Sequence, residues 1–399
     1  MKIAVLTPIY ATTTTNDGAT PVVHYFTREW VKMGHEVTVF HLEPKYPRIM
    51  YWVGNKFQHH LNTKLGMLVP VEAPKDEDYK ADGVTIYKRC LRKIIPHSRY
   101  SKKQLSKAFK IIEDEYSHSS LPDWFLGHWD NPQLELLNML KHKYGKPTCL
   151  VLHGNVFDFE RKYGKDGLLM FSNLDAIGFR SKIGQLHFEQ KYGKHNNTFI
   201  ASSGVSDIFI STGFASKHIR KQPIHNFIYV GSLIARKYPS LIIKALTSIY
   251  PDGNFMMTYI GDGAEKSTIE DEYRKAGSIG KIRFTGRIPR EEIIEHLLQA
   301  DVFIMISRSE IFGLVYLEAM ALGLIPIGSK NEGIDGVIQH GQNGFLCEAG
   351  NLEELCTILQ KIKTMPSEQI QQLSLNAQNT AIDYSDEGVA KKYLESLMN

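Results

Sequence analysis

Four cysteines in 399 residues are too few and too scattered to hold a fold together covalently. Cys90, Cys149, Cys347 and Cys356 form no C-x-x-C pair and have no histidine cluster beside them, so neither a disulfide framework nor a zinc site is indicated. No apolar run approaches the roughly 18 residues needed to cross a bilayer. The first one, Ile3 to Ile9, is interrupted by Pro8 and gives way at once to Thr12–Thr15, unlike a secretion leader. The expectation is therefore a cytoplasmic protein. Also missing are a nucleic-acid recognition motif, any interleaving of basic and aromatic residues, and a side chain that reads as a nucleophile. What remains is the composition of a globular protein, 43% apolar and 23% charged, long enough for two or three domains.

Neither sign of charge dominates overall, yet the net +4 is unevenly spread. Residues 1–200 hold 28 Lys+Arg against 20 Asp+Glu, and the other 199 hold 19 against 23. A basic first half suits an anionic partner: nucleic acid, acidic phospholipid or a phosphate-bearing substrate.

The opening MKIAVLTPIY reads as a strand, Val22 to Gly34 as a helix, and Glu36–Phe40 as a second strand. Strand, helix and strand within forty residues predict a βαβ unit and a parallel sheet. After a less regular stretch, Thr148–Leu152 and Thr198–Ala201 read as buried strands ending at His153-Gly154 and near Ser203-Gly204. Polar residues at the carboxyl edge of such a sheet stand where ligands bind. From Phe227 the pattern restarts, with strands at Phe227–Gly231, Phe255–Gly261, Ile282–Gly286, Val302–Ile306 and Ile325–Gly328. The polar stretch Asp207–Ile224 reads as the linker. The predicted class is α/β: two Rossmann-like doubly wound domains facing a cleft, over 1–206 and 225–383.

Ser307 to Gly323 is the most informative segment. It follows a buried strand, and Gly313 opens a helix whose first amides are unpaired and carry the positive end of the dipole, which suits a phosphate. Glu318 falls about five residues into that helix, roughly 7 Å along it, a plausible reach from a pyrophosphate to the ribose of the same nucleotide. Glu310, ahead of the helix, would face the sugar. The same pattern also fits a helix-end acid at 310 and a solvated surface acid at 318. Against the second reading stand the apolar neighbours Leu314, Val315, Leu317, Ala319 and Met320, because a buried carboxylate needs a partner.

The string SEIFGLVYLEAMALGLIPI, with a Glu, seven residues and a second Glu, resembles the donor-site motif of the retaining glycosyltransferases of family 4, which have the GT-B fold. Ordered matches extend the resemblance over most of the chain: Gly34-His35-Glu36-Val37, His153-Gly154, Ser203-Gly204-Val205, Gly231-Ser232-Leu233, Gly261-Asp262-Gly263, Phe284-Thr285-Gly286 and Gly341-Gln342-Asn343-Gly344. The resemblance implies that Glu310 contacts the donor sugar and Glu318 the ribose. It implies that Lys237, with Arg236, neutralises the diphosphate and that His153 reaches the sugar from the first domain. For the donor site it further implies Gly18, Gly231, Ser232, Gly261, Arg287, Ile288, Phe312, Gly313 and Leu314. It implies a nucleotide-sugar substrate, UDP- or GDP-linked, with no cofactor and no metal, and a helix over 384–399 that crosses back to the first domain. Three departures stand out: Ser232 where arginine is frequent, Ala19 where a second glycine is usual, and Glu332-Gly333-Ile334-Asp335-Gly336 in place of a Gly-Gly-x-Pro-Glu pattern.

The acceptor is expected on the first domain, as a lipid-linked or glycan precursor. Nine Lys and Arg residues between Lys88 and Lys110, with an apolar stripe of Leu105, Ala108, Phe109, Ile112 and Tyr116, fit either a helix resting on an anionic membrane, on its inner face, or one packed on the core with a solvated lysine face. Competing readings are a non-catalytic nucleotide-sugar binder, a nucleic-acid-binding protein of the same fold, an epimerase or a glucan synthase; the chain shows no acid pair for epimerase chemistry.

Overall fold

The computed structural model describes residues 1–12, 21–54, 56, 72–96, 98–154, 159–216 and 219–398. The chain divides into two units. The first runs to Ser203 and takes in Asp386–Asn399; the second is built on Gly204–Ser385.

The first unit holds an eight-stranded sheet of β1 (Lys2–Thr7), β2 (Glu36–Lys45), β3 (Glu77–Ala81), β4 (Val84–Arg92), β5 (Trp124–His128), β6 (Thr148–Leu152), β7 (Ala176–Phe179) and β8 (Thr198–Ile200). Its order is β3-β4-β2-β1-β5-β6-β7-β8, parallel throughout except for the β3–β4 hairpin. Every residue of β6 and β7 is buried. Continuous apolar strands of this kind form where helices cover both faces of a parallel sheet.

The second unit holds β9 (Asn226–Val230), β10 (Met256–Ile260), β11 (Lys281–Gly286), β12 (Val302–Ile304), β13 (Ile325–Ser329) and β14 (Phe345–Cys347), ordered β11-β10-β9-β12-β13-β14 and all parallel. The chain winds outward from β9 in one direction and from β12 in the other. Between them, at the carboxyl ends, lies the crevice where ligands bind in such sheets. The same reversal falls between β1 and β5 in the first unit.

The less regular stretch of the sequence contains β3, β4 and β5. The segment Asp207–Ile224 differs from the linker expected of it. Asp207–Ser216 is a helix of the second unit, with Phe209 buried. A Cβ on Gly213 would stand 2.0 Å from the Ala321 carbonyl, so the helix packs backbone to backbone. At the far end, the helix Asp386–Met398 lies in the first unit. The Trp30 indole donates to the Ala390 carbonyl at 2.9 Å, and the Tyr393 ring stands edge-on to Phe26 and Trp30. Burying such an aromatic contributes roughly 2–3 kcal/mol before entropy is counted. The basic helix Lys102–Tyr116 buries Leu105, Ala108 and Ile112 in the first core and leaves its lysines in solvent.

Candidate functional site

The site of the second unit grows from the two strands that flank its reversal. After β9 the chain turns through Gly231 to the 3-10 turn Ala235–Lys237. After β12 it runs through Ser307–Phe312 to the helix Leu314–Ala321. The two loops are tied together. The Arg308 amide donates to the Arg236 carbonyl at 2.7 Å, and the Arg236 guanidinium returns to the Arg308 carbonyl at 3.1 Å. This places Lys237 Nζ 3.2 Å and Arg236 Nη1 3.8 Å from the Glu310 carboxylate. Lys237 and Glu310 are largely buried, and Arg236 is exposed. The Ser307 hydroxyl donates to the same carboxylate oxygen at 3.3 Å.

Glu310 is held in place by its own backbone. The Glu332 carboxylate accepts from the Ser309 amide at 2.9 Å and from the Glu310 amide at 2.8 Å, while the Gly333 amide donates to the Glu310 carbonyl at 2.9 Å. The clamp restrains a loop in which Ser309 has φ 57°, a left-handed conformation that costs a non-glycine residue on the order of 1–3 kcal/mol. Gly333 must be glycine, since a Cβ there would lie 2.0 Å from the Ile311 carbonyl. Gly313 caps the following helix at φ 77°. The first amides of that helix point out of its N-terminus, where an anion is favoured.

Glu318 is buried on that helix, and its partner is Arg290, whose Nε donates at 2.8 Å and whose Nη2 binds the same oxygen, Oε1. Other sequence-nominated residues frame these groups. Gly231 makes room for the ammonium: a Cβ on it would stand 3.3 Å from Lys237 Nζ. Gly261 lets its turn close on the Gly231 carbonyl. The Ser232 carbonyl accepts the Tyr229 hydroxyl at 2.8 Å. Ile288 and Leu314 lean on the second core, and Arg287 is exposed. The Phe312 side chain is buried in that core, which leaves only its backbone for contact with a ligand. Gly18 lies outside the described residues.

Arg290 and Glu332 were not singled out for roles in the sequence. The apolar setting of Glu318 called for a cation but gave no means of choosing one. The one signal for Glu332 was that it stands where the resembling pattern has glycine.

His153 is placed at the carboxyl edge of the first sheet. Its Nε2 lies 2.9 Å from His128 Nδ1, and its ring stacks on Trp129 at 3.8 Å between centroids. Arg180, buried after β7, donates to the Ala201 carbonyl and the Ser203 hydroxyl. Burial first and the Arg180 charge second hold both imidazoles in the neutral form, His128 down to about 3 and His153 well below the usual histidine range. His128, Trp129 and Arg180 carried no signal in the sequence, because they stand on strand ends far apart along the chain.

Residues 215–380, within the second unit, match the family described as glycosyl transferases group 1. N-acetyl-alpha-D-glucosaminyl L-malate synthase of Bacillus anthracis is 36% identical over 110 residues, 28% of each chain. An uncharacterized glycosyltransferase of Methanocaldococcus jannaschii is 26% identical over 276 residues, 67% of this chain and 74% of that one. The match to the first of these thus spans little more than a quarter of the relative's length. In structure, Anabaena HepE, solved in complex with UDP, superposes with a TM-score of 0.65 at 17% identity over the full length of both chains. The two doubly wound sheets are those of the GT-B fold.

Proposed function

We propose that this chain, with a GT-B fold and a second unit matching glycosyl transferases group 1, moves a sugar from a UDP- or GDP-linked donor to an acceptor hydroxyl, retaining the anomeric configuration. The acceptor is a lipid-linked or glycan precursor, and neither metal nor cofactor takes part. The observation that carries the reading is the convergence of Lys237 and Arg236 on Glu310 beside the Gly313 helix start, at the reversal point of the second sheet. HepE, the structural neighbour, has been solved with UDP-glucose as well as UDP.

The arrangement suits the charges that develop. As the bond from the anomeric carbon to the diphosphate breaks, its electron pair leaves on a phosphate oxygen. Lys237, Arg236 and the first helix amides stabilise that charge without reorganising, which is where preorganised electrostatics contribute most. Glu310 accepts hydrogen bonds from the donor sugar and keeps Lys237 in position before the donor arrives. Glu318 takes the ribose diol with its second oxygen, Oε2. The acceptor oxygen bonds to the anomeric carbon on the face the diphosphate leaves, and its proton passes to the departing phosphate oxygen. No side chain serves as a nucleophile, so the transition state is oxocarbenium-like. For His153 the proposed role is hydrogen bonding by a neutral imidazole rather than charge.

A screen of UDP-, GDP- and ADP-sugars for nucleotide release tests the reading. Turnover of a UDP- or GDP-sugar, unchanged by EDTA, is expected. Failure to release nucleotide from any of these donors would overturn it.

A further inference from the structure

Beyond the chemistry of the site, the first unit carries a surface that solvent alone does not explain. Ile49 and Trp52 are 67% and 59% exposed, and Ile94 and Ile95 are 79% and 63% exposed. Scattered exposed apolar residues are ordinary, but four bulky ones in two adjacent segments are not. The segments are adjacent because β2 and β4 are parallel neighbours whose final pair is Lys45 with Arg92. The Lys93 amide then donates to the Lys45 carbonyl at 2.9 Å, so both chains leave the same end of the sheet together. The Tyr46 amide donates to the Tyr51 hydroxyl at 2.8 Å, which folds the helical turns at 48–54 back onto that strand end.

Cations predominate around this patch, although Glu43, Asp78 and Glu135 pair with Lys88, Arg89 and Arg99. Residues 83–112 hold nine Lys and Arg and no Asp or Glu, and residues 44–56 hold three and none. Arg92, Lys102 and Lys103 are exposed, and the helix that begins at Lys102 abuts the strand end through the bond from the Arg92 amide to Gln104 Oε1 at 2.8 Å. That helix spends its own apolar stripe on the core, so it supplies charge and the loops supply the apolar contact. Trp52 is itself amphipathic, with the Lys56 ammonium 5.2 Å from its ring centroid. An indole and isoleucines at the centre, with an excess of long cationic side chains around them, match the chemistry of an interface between anionic headgroups and acyl chains. A protein partner would need acids to answer the cations that Glu43, Asp78 and Glu135 leave over, and an RNA would leave two exposed isoleucines unpaired. We infer that the carboxyl end of the β2–β4 pair, through Ile94, Ile95, Trp52 and the surrounding Lys and Arg, docks this protein on an anionic lipid bilayer. The inference does not depend on the proposed transfer reaction, although such a surface would bring a lipid-linked acceptor to the first unit.

The test uses the full chain in co-sedimentation with vesicles of phosphatidylcholine alone and of phosphatidylcholine with one-third phosphatidylglycerol. Binding to the anionic vesicles is expected, weakening as salt rises. Replacing Ile94→Ser with Ile95→Ser is expected to lower vesicle affinity at least about tenfold, as loss of two inserted side chains should. Both substitutions are at exposed positions, so the melting temperature and nucleotide release in the absence of vesicles should stay at wild-type values. Trp52→Phe should retain binding but remove the blue shift of tryptophan emission seen when vesicles are added. Equal binding of wild type and the Ile94/Ile95 variant, absence of binding to anionic vesicles, or equal binding to neutral ones would overturn the inference. Loss of nucleotide release with vesicle binding intact would count against the transfer reaction and leave the docking surface standing.

Discussion

At the carboxyl edge of the second sheet, a carboxylate and two cations are fixed by backbone: Glu332 holds the amides ahead of Glu310, and the loops of Arg236 and Arg308 exchange carbonyl bonds. At the same edge of the first sheet, the polar groups are uncharged imidazoles around one buried guanidinium, and the contacts come from side chains on four strand ends: His128, His153, Arg180 and Ser203. One topology thus yields two kinds of site. In the proposed reaction, the second unit stabilises the charge that develops on the leaving diphosphate. The first brings neutral imidazoles and a stacked indole together beside a buried guanidinium.

If that contrast is right, removing charge from the second unit should cost far more turnover than altering the first. Lys237→Ala is expected to lower kcat about a hundredfold or more, the scale of losing one preorganised charge-stabilising group, with donor KM changed much less. His153→Ala should cost less than Lys237→Ala under the same assay; the reverse order would break the comparison. Glu332→Ala should lower kcat about tenfold by freeing the amides of Ser309 and Glu310, and Glu332→Gln, which keeps one acceptor, should recover part of the loss. Equal kcat in Glu332→Ala and wild type would show that the loop holds itself.

A separate effect concerns stability rather than turnover. Burial pushes His41 and His128, both in the first unit, down to about 3. An unfolded histidine takes up its proton near pH 6.5, whereas these folded ones do not. Stability is therefore complete above about pH 6.5 and falls as pH drops towards 3, by up to about 1.4 kcal/mol per pH unit for each group. Hydrogen exchange at pH 5 should show β1, β2 and β5 losing protection ahead of β9 and β12, and His41→Asn should reduce the difference. Uniform loss across both sheets would mean that the buried histidines are not what acid attacks.

The same contrast explains what could be read in the sequence. The second unit was legible because its signals are contiguous: the strand before Ser307, the glycine that opens the helix, and the two glutamates all fall within 20 residues. Both sheets showed themselves through short apolar strands separated by helical spacing, and Thr148–Leu152 was identified to the residue. The partners were not legible. Arg290 reaches Glu318 from the first residue of another helix, Arg290–Leu298, and His128 meets His153 only because β5 and β6 are neighbours. The stretch Asp207–Ile224 looked like a linker because its polar residues hide one buried aromatic, Phe209, and a glycine, Gly213, chosen for close packing. The lysine-rich helix offered both a membrane face and a core face. Only the fold showed that its apolar stripe is covered and that the exposed apolar residues lie in the loops before it.

Glu310→Ala, assayed by release of the nucleoside diphosphate at saturating donor, tests the central claim most directly. Turnover is expected to fall at least about a hundredfold, on the scale of removing one electrostatic interaction from the reacting centre, with the melting temperature and nucleoside diphosphate binding preserved. Turnover near that of the wild type would contradict it.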